Sequence, residues 1–316
     1  MPLLKYNMPD FKEINLQDKK LIESYLFKYG GNSCQHSFAQ MYLLKDKYHD
    51  LFFEKDGTLF IYRSGLSDEG MRTYLFPFCP EENIPAAVSF LMEDAASFGA
   101  GLRLFPITKE SVDLLDRYFP GKFDVEESRD YAEYIYSSEK LAYLKGKKMA
   151  SKRNHINTFN RNYEGRFKVV RFGCEDTPEE NKVISDVLAF QSEWLSARER
   201  QDLYKELLTE DMHISKALKY RHRLDICGVA LYVDDVLEGY TFANPISHNC
   251  VDVIAEKGNI EIGGIYQMLN NAFSLLAHER FEFINREEDL GVAGLRKAKL
   301  SYKPDILLEK FSATAL

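Results

Sequence analysis

The sequence predicts an α/β protein with mixed sheets, built as two tandem domains from an internal duplication. Order is the main reason: two helices, a hairpin, then strand, helix, strand, helix and strand can be read in each half, with almost no residue identity between them. A repeat this long indicates a duplicated α/β unit, since solenoid periods are far shorter. Length and composition agree, because 316 residues at 45% hydrophobic and 28% charged suffice for two cores of ordinary size.

In the first half, Leu16, Leu21, Ile22, Tyr25, Leu26 and Tyr29 recur at helical spacing over 15–29, and Gly30-Gly31 end that helix. A shorter helical pattern covers 38–44. Residues 51–53 and 59–62 flank Lys55-Asp56-Gly57-Thr58, a hairpin turn in which Asp-Gly supplies the positive φ. Residues 72–78 read as a strand, 81–98 as a helix closed by Gly99, and 102–107 as a buried strand. Thr108 caps a helix through Phe119, and 123–136 is extended.

The second half repeats the series. Thr177-Pro178-Glu179-Glu180 has capping-box spacing with proline at the first helical position, opening a helix to about 197. A second helix covers 203–220. Residues 226–233 and 237–243 form a hairpin around Asp234-Asp235, and 250–256 is a strand. Residues 265–277 are helical, 281–285 a strand, 292–302 a helix and 306–311 a last strand.

Composition excludes several classes. The longest apolar candidate, 86–107, is broken by Glu93, Asp94 and Arg103, so no transmembrane segment is expected. The N-terminal residues lack a basic region, a long apolar core and a small-residue cleavage site, so a cytoplasmic protein is expected. The five cysteines are widely spaced without a C-x-x-C pair and read as packed thiols. The seven histidines show no ligand spacing, so no metal is expected, and no triad or P-loop is present.

The formal charge of −8 argues against general affinity for nucleic acid or anionic lipid. Its distribution is uneven: between Lys145 and Arg171 nine basic residues stand against the single acid Glu164. This segment, 145–171, is expected to connect a domain at 1–144 with one at 172–316. Met149, Ile156, Phe159 and Tyr163 share one helical face, and Lys148, Lys152 and His155 the other. Either Lys148, Lys152, Arg153 and Asn157 bind a phosphate-rich partner, or the segment is a solvated helix that balances acidic domains.

The densest chemistry lies at 281–304. Phe281, Phe283 and Asn285 alternate onto one strand face, so an amide ends a row of aromatics. Glu287, Glu288 and Asp289 follow, with Asp289 placed to cap a helix starting near Gly291. Arg296, Lys299 and Lys303 then form a cationic stripe beside an apolar stripe of Leu295, Ala298 and Tyr302, and Pro304 stops the helix. Such a wall suits an anionic substrate; the plain alternative is a capped surface helix whose charges pair in water.

The run INREEDLGVAGLRKAKLSYKP, 284–304, resembles a signature near the C-terminus of bacterial proteins that share the C-terminal domain of phosphatidylglycerol lysyltransferase. A second matching run is GKKMASKRNHINTFNRNY, 146–163. Those proteins are tandem acyltransferase folds of the Gcn5-related N-acetyltransferase (GNAT) type, related to the Fem peptidyltransferases. The resemblance implies two GNAT-like domains. The first is expected to be structural, having only Arg103 in the corresponding strand and no EED-like turn, and the second to carry the active site.

It also implies an acyl- or aminoacyltransferase, moving an acyl group from a thioester or an aminoacyl-tRNA ester to an amine or hydroxyl acceptor. A non-catalytic GNAT-fold module binding coenzyme A, nucleotide or RNA is the alternative. In the GNAT fold the coenzyme A pyrophosphate sits between the fourth strand and the next helix, which here means Gly263, Gly264 and Ile265, although the spacing departs from the usual Q/R-x-x-G-x-G/A. Coenzyme A or acyl-CoA is the donor this implies. The cleft between the fourth and fifth strands would be lined by Asp252 and Ile254 on one side and by Phe283, Asn285 and Glu287 on the other. Asp252 or Glu288 is then the candidate base, Lys299 with Arg296 the electrostatic clamp, and Tyr302 the proton donor. Asn285 and Arg296 would hold the donor, while Glu287, Asp289 and Lys303 would contact substrate. Lys148, Lys152, Arg153 and Asn157 would receive the acceptor arm of an aminoacyl-tRNA. The acceptor would be a small molecule or a lipid headgroup, the lipid being less expected because the flippase region of those lysyltransferases is not in this sequence.

Overall fold

The computed structural model describes residues 9–316 apart from 69, 174 and 198–203, with backbone alone at 204–206. In chain order the elements are β1 (Lys12–Glu13), α1 (Lys19–Tyr29), α2 (Phe38–Leu43), α3 (Lys45–Tyr48), β2 (Asp50–Lys55), β3 (Thr58–Arg63), β4 (Met71–Tyr74), α4 (Ile84–Ser97), β5 (Gly101–Ile107), α5 (Lys109–Tyr118), β6 (Phe123–Glu127) and β7 (Glu133–Ser137). There follow α6 (Ser138–Tyr143), α7 (Ala150–Asn162), β8 (Phe167–Phe172), α8 (Pro178–Ser196), α9 (Tyr204–Lys219), β9 (Cys227–Val233), β10 (Val236–Pro245), β11 (Cys250–Gly258), α10 (Ile265–His278), β12 (Phe283–Glu288), α11 (Ala293–Ser301), β13 (Ile306–Leu308) and β14 (Phe311–Ala315).

Local signals set many of these bounds. Asp56 and Gly57 both take positive φ, which lets a two-residue turn join β2 to β3. The Thr108 side chain accepts from the Ser111 N–H and opens α5; Thr177 does the same for Glu180 and α8.

Two compact units result. The first takes in the chain up to Glu133 with Glu288–Gly291 and Leu308–Leu316; the second takes in Tyr134–Glu287 and Val292–Leu307. The first sheet runs β1-β2-β3-β4-β5-β14-β6, antiparallel except for the parallel β4–β5 junction. Its core gathers Phe60, Tyr74, Leu91, Leu104, Val112 and Leu115 between sheet and helices.

The second sheet, read from β8, runs β8-β9-β10-β11-β12-β7-β13, again with antiparallel strands up to a parallel fourth and fifth pair. Tyr134, Val251, Val253, Phe273 and Ile284 form its core. In both sheets the sixth position is filled by a strand from the other half of the sequence: β14 in the first, β7 in the second. The expected domains at 1–144, 145–171 and 172–316 are continuous, whereas the compact units are not, because of this exchange.

The same exchange explains two local differences. The expected extended run 123–136 is two strands, β6 and β7, parted by a turn at Arg129–Tyr131 and belonging to different sheets. The expected strand 306–311 is likewise two, β13 and β14. Where the chain leaves and re-enters the first unit, Glu133 and Lys310 form an ion pair at 2.5 Å, with neither side chain exposed. The helix expected at 203–220 is α9; Leu203 lies outside the described residues.

Cys34, Cys79 and Cys250 are buried thiols, as expected of packed cysteines, but Cys227 is disulfide-bonded. Spacing along the chain could not foresee a pairing made by the fold, and Cys174 lies outside the described residues. Among the described residues no helix is long and apolar enough to cross a membrane, and no group of three or more His, Cys, Asp and Glu is placed to hold a metal ion.

Candidate functional site

The parallel ladder between β11 and β12 joins Cys250 to Phe283, Val251 to Ile284 and Asp252 to Asn285, and ends there. Both strands continue, β11 to Gly258 and β12 to Glu288. On the other side of β11, Ala243 pairs with Val253 and Phe242 with Ala255, so Ile254 is an extra residue. This bulge reverses the alternation and brings Glu256 onto the face of Val251 and Val253. Ile284 and Arg286 share that face on β12. Arg286 Nη2 donates to Glu256 Oε1 at 2.8 Å, each side chain only 13% exposed, where the ladder has stopped.

Further polar groups gather on this pair. Lys299 Nζ on α11 donates to the Arg286 carbonyl at 2.6 Å, and Tyr136 Oη donates to the Lys299 carbonyl at 2.8 Å. The Tyr302 ring has the Arg286 guanidinium 5.3 Å and Lys152 Nζ 4.1 Å from its centre. Lys152 Nζ also donates to Ser301 Oγ at 2.7 Å. Arg286 and Lys152 thus share the Tyr302 ring, Glu256 pairs with Arg286, and Lys299 joins them through the Arg286 carbonyl.

Burial pushes the Tyr302 phenol up to about 12, with Arg286 opposing, so it keeps its proton at neutral pH. Burial, and then the charge of Arg286, push Lys152 below the ordinary lysine value. Arg286 goes the other way: burial alone would lower it, but Glu256, Tyr136 and Tyr302 together raise it.

The helix carrying this chemistry is turned differently from expectation. Leu295 is 47% exposed and Ala298 is exposed, while Arg296 and Lys299 are partly covered; of the expected apolar stripe only Tyr302 is buried. The group that receives the Lys299 ammonium is the Arg286 carbonyl, so a cation fits there better than a leucine does.

The other expected site residues fall into separate places. Asp252 and Asn285 are neighbours in register and, with Asn244 on β10, make a fully buried polar row across the sheet. Asn285 Oδ1 accepts from the Glu287 N–H at 2.7 Å, and Glu287 itself has a φ of 56°. Glu288 and Asp289 belong to the first unit. There Glu288 accepts from Gln35 Nε2 at 3.3 Å and Cys34 Sγ at 3.4 Å. Asp289 accepts from the Gly291 N–H at 2.9 Å and pairs with Arg129 at 3.4 Å; it holds the turn, while α11 starts at Ala293 without a side-chain cap. Lys303 is exposed, and its carbonyl accepts from Lys140.

The turn at Gly263, Gly264 and Ile265 serves packing. Gly264 has a φ of 90°, and a Cβ there would lie 3.1 Å from the His155 carbonyl oxygen of α7. The Ile265 N–H is used by the Ile262 carbonyl. A turn with one amide engaged and a carbonyl oxygen against it does not fit a pyrophosphate, and the chemistry below uses none.

The expected basic face of α7 divides. Lys152 enters the site at Tyr302, and Arg153 Nη1 donates to the carbonyls of Leu144 and Gly146. Lys148 and Asn157 are exposed, and Asn157 lines a polar hollow of about 720 Å³ with Asn154, Thr158, Asn160 and Arg161. Of the nine basic residues in 145–171, four are paired with acids: Lys145 with Glu139, Arg166 with Asp234, Lys168 with Asp235 and Arg171 with Glu279.

Sequence reasoning did not find Glu256, Arg286, Tyr136 or Ser301. Arg286 was within reach, since it alternates with Ile284 once the strand is extended to Glu288. Glu256 was not, because a one-residue bulge leaves no mark in the sequence.

These features define a class of protein: two mixed α/β units in tandem, with polar groups collected where the fourth and fifth strands of the second sheet part company. The chain belongs to the family described as phosphatidylglycerol lysyltransferase, C-terminal, which matches residues 28–314. A conserved protein of unknown function from Bacteroides thetaiotaomicron has a similar solved structure, with 32% identity and a TM-score of 0.89 over 98% of this chain and 100% of that one. L-PGS from Bacillus licheniformis shares the fold at 16% identity, with a TM-score of 0.65 over 96% of this chain and 93% of that one. An uncharacterised protein of Mycoplasmoides gallisepticum is 27% identical over 191 residues, 60% of this chain and 58% of that protein, so the match takes in less than two thirds of that relative.

Proposed function

We propose that this chain is an acyl- or aminoacyltransferase and that the reaction takes place where β11 and β12 separate. The observation that carries the reading is the convergence of Arg286 and Lys152 on Tyr302, with Glu256 paired to Arg286 and Lys299 bound to the Arg286 carbonyl. A partly dehydrated site with surplus positive charge stabilises the oxyanion that forms when a nucleophile attacks an ester carbonyl. Arg286 and Lys299 are the groups for that charge. Tyr302, protonated at neutral pH, supplies a proton to the leaving oxygen. Asp252, closed inside the sheet, holds the polar row beside Asn285 and does not act as the base.

The family description supports an aminoacyl ester as donor and a hydroxyl as acceptor, as in a phosphatidylglycerol headgroup. The poor fit of the glycine turn to a pyrophosphate also favours the ester over acyl-CoA. Lys148, Asn157 and the amide-lined hollow of α7 offer a polar surface to the acceptor arm of a tRNA.

The test supplies the purified protein with aminoacyl-tRNAs or acyl-CoAs, together with amine and hydroxyl acceptors including phosphatidylglycerol vesicles, and identifies products by mass spectrometry. Transfer from the ester donor, lost in Arg286→Ala, is the expected result; no product from any donor overturns it. The bridge from Arg286 to Glu256 across the parted strands favours a second reading, a ligand-binding module without turnover. That reading gives thermal stabilisation by one of these compounds without product.

A further inference from the structure

Ser301 ends α11 with its Oγ 2.7 Å from Lys152 Nζ, and neither side chain is closed off from solvent. The ammonium is held from a second side by the Tyr302 ring, 4.1 Å away, and Arg286 packs on the same ring. A hydroxyl next to an amine fixed by two contacts has the geometry of a nucleophile with its base. Burial and the charge of Arg286 both favour the neutral amine, which is the form that can take a proton.

We infer that Ser301 is a nucleophile that carries the acyl group as an ester, with Lys152 as its base, so that transfer runs in two steps through an acylated enzyme. This rests on the proposed acyl transfer and goes beyond it, since direct attack of acceptor on donor requires no serine. In the first step Lys152 Nζ takes the Ser301 proton while Oγ bonds to the donor's carbonyl carbon. The bond from that carbon to the leaving oxygen then breaks, the leaving oxygen takes the Tyr302 proton, and Nζ gives its own to the phenoxide. In the second step the acceptor hydroxyl or amine attacks the serine ester and gives its proton to Nζ, which returns it to Oγ as the ester bond breaks. At rest the Ser301 hydroxyl donates to the Ala298 carbonyl at 2.5 Å, and rotation about the Cβ–Oγ bond redirects it to Nζ.

The probe is p-nitrophenyl acetate on the full chain, read by intact mass and peptide mapping, beside the transfer assay above. The expected result is one acetyl group on Ser301, absent in Ser301→Ala. In Lys152→Met it should form slower by on the order of 10²-fold or more, the usual contribution of a positioned base. Ser301→Cys should trap a thioester at the same place, which keeps the test open should the alanine variant prove unstable. Acetyl on Lys152 in place of Ser301, or no adduct on the wild-type chain, overturns the inference. Ser301→Ala that transfers at the wild-type rate also overturns it, while leaving acyl transfer itself intact; absence of transfer in every variant and in the wild type removes both.

Discussion

Arg286 meets Glu256 at 2.8 Å at a point where their strands have ceased to share a ladder, and the acid reaches the right face only because Ile254 is one residue more than the pairing needs. A charge pair this far from water is sensitive to losing one member, since the survivor keeps the desolvation cost without the attraction. Glu256→Gln is therefore expected to cost about 2 to 3 kcal/mol in chemical denaturation, on the scale of a partly buried pair. Deleting Ile254 should move Glu256 off the face of Arg286 and lose transfer as fully as Arg286→Ala does.

Lys299→Ala separates chemistry from stability. Lys299 donates to the Arg286 carbonyl, but its helix contains no buried residue. Transfer is expected to fall by on the order of 10²-fold, as for loss of one oxyanion-stabilising group, with the melting temperature nearly unchanged. Full activity in this variant removes Lys299 from the mechanism.

The glycine pair gives a contrast between neighbours. Gly264→Ala places a methyl in a left-handed backbone 3.1 Å from the His155 carbonyl oxygen and is expected to cost about 1 to 2 kcal/mol. Gly263→Ala meets open space and is expected to lie within about 0.5 kcal/mol of the parent. Thermal melts of the two variants decide it; equal effects would remove the packing role assigned to Gly264.

His36 gives the first unit a pH dependence. Burial, and then the charge of Lys310, hold its imidazole down to about 4 against an ordinary 6.5, while Nδ1 contacts the Gly30 carbonyl at 2.5 Å. The unfolded chain takes up the proton first, so this contribution to stability is complete above pH 6.5 and is lost as the pH falls toward 4. The loss amounts to roughly 3 kcal/mol by the bottom of that window. Denaturation midpoints at a series of pH values should show the slope in the parent and a shallower one in His36→Gln.

Much of the fold could be read from the chain because its signals are local. Thr108 and Thr177 cap the helices they announce, and Asp56-Gly57 turns the hairpin it announces. What depended on distant partners was hidden. The run 123–136 looks continuous because nothing within it says that its two ends join different sheets. At the site, Lys299 and Tyr302 lie together as their spacing on one helix requires, but Glu256 and Lys152 come from elements whose approach is a matter of packing. The face of α11 was misjudged for a related reason: an apolar stripe turns inward only where apolar neighbours wait for it, and here the neighbours are Arg286 and Tyr136.

The placement of β14 between β5 and β6 sets the timetable of assembly. While the polypeptide emerges from the ribosome, every helix of the first unit and six of its seven strands are made long before residues 311–315 exist, and β5 and β6 must wait with their facing edges unpaired. A gap of that kind invites any extended segment nearby, including β7, which has already been synthesised and belongs elsewhere. Lys310 stands directly before β14 and meets Glu133 only once the tail arrives, so that buried pair fixes the late strand in place.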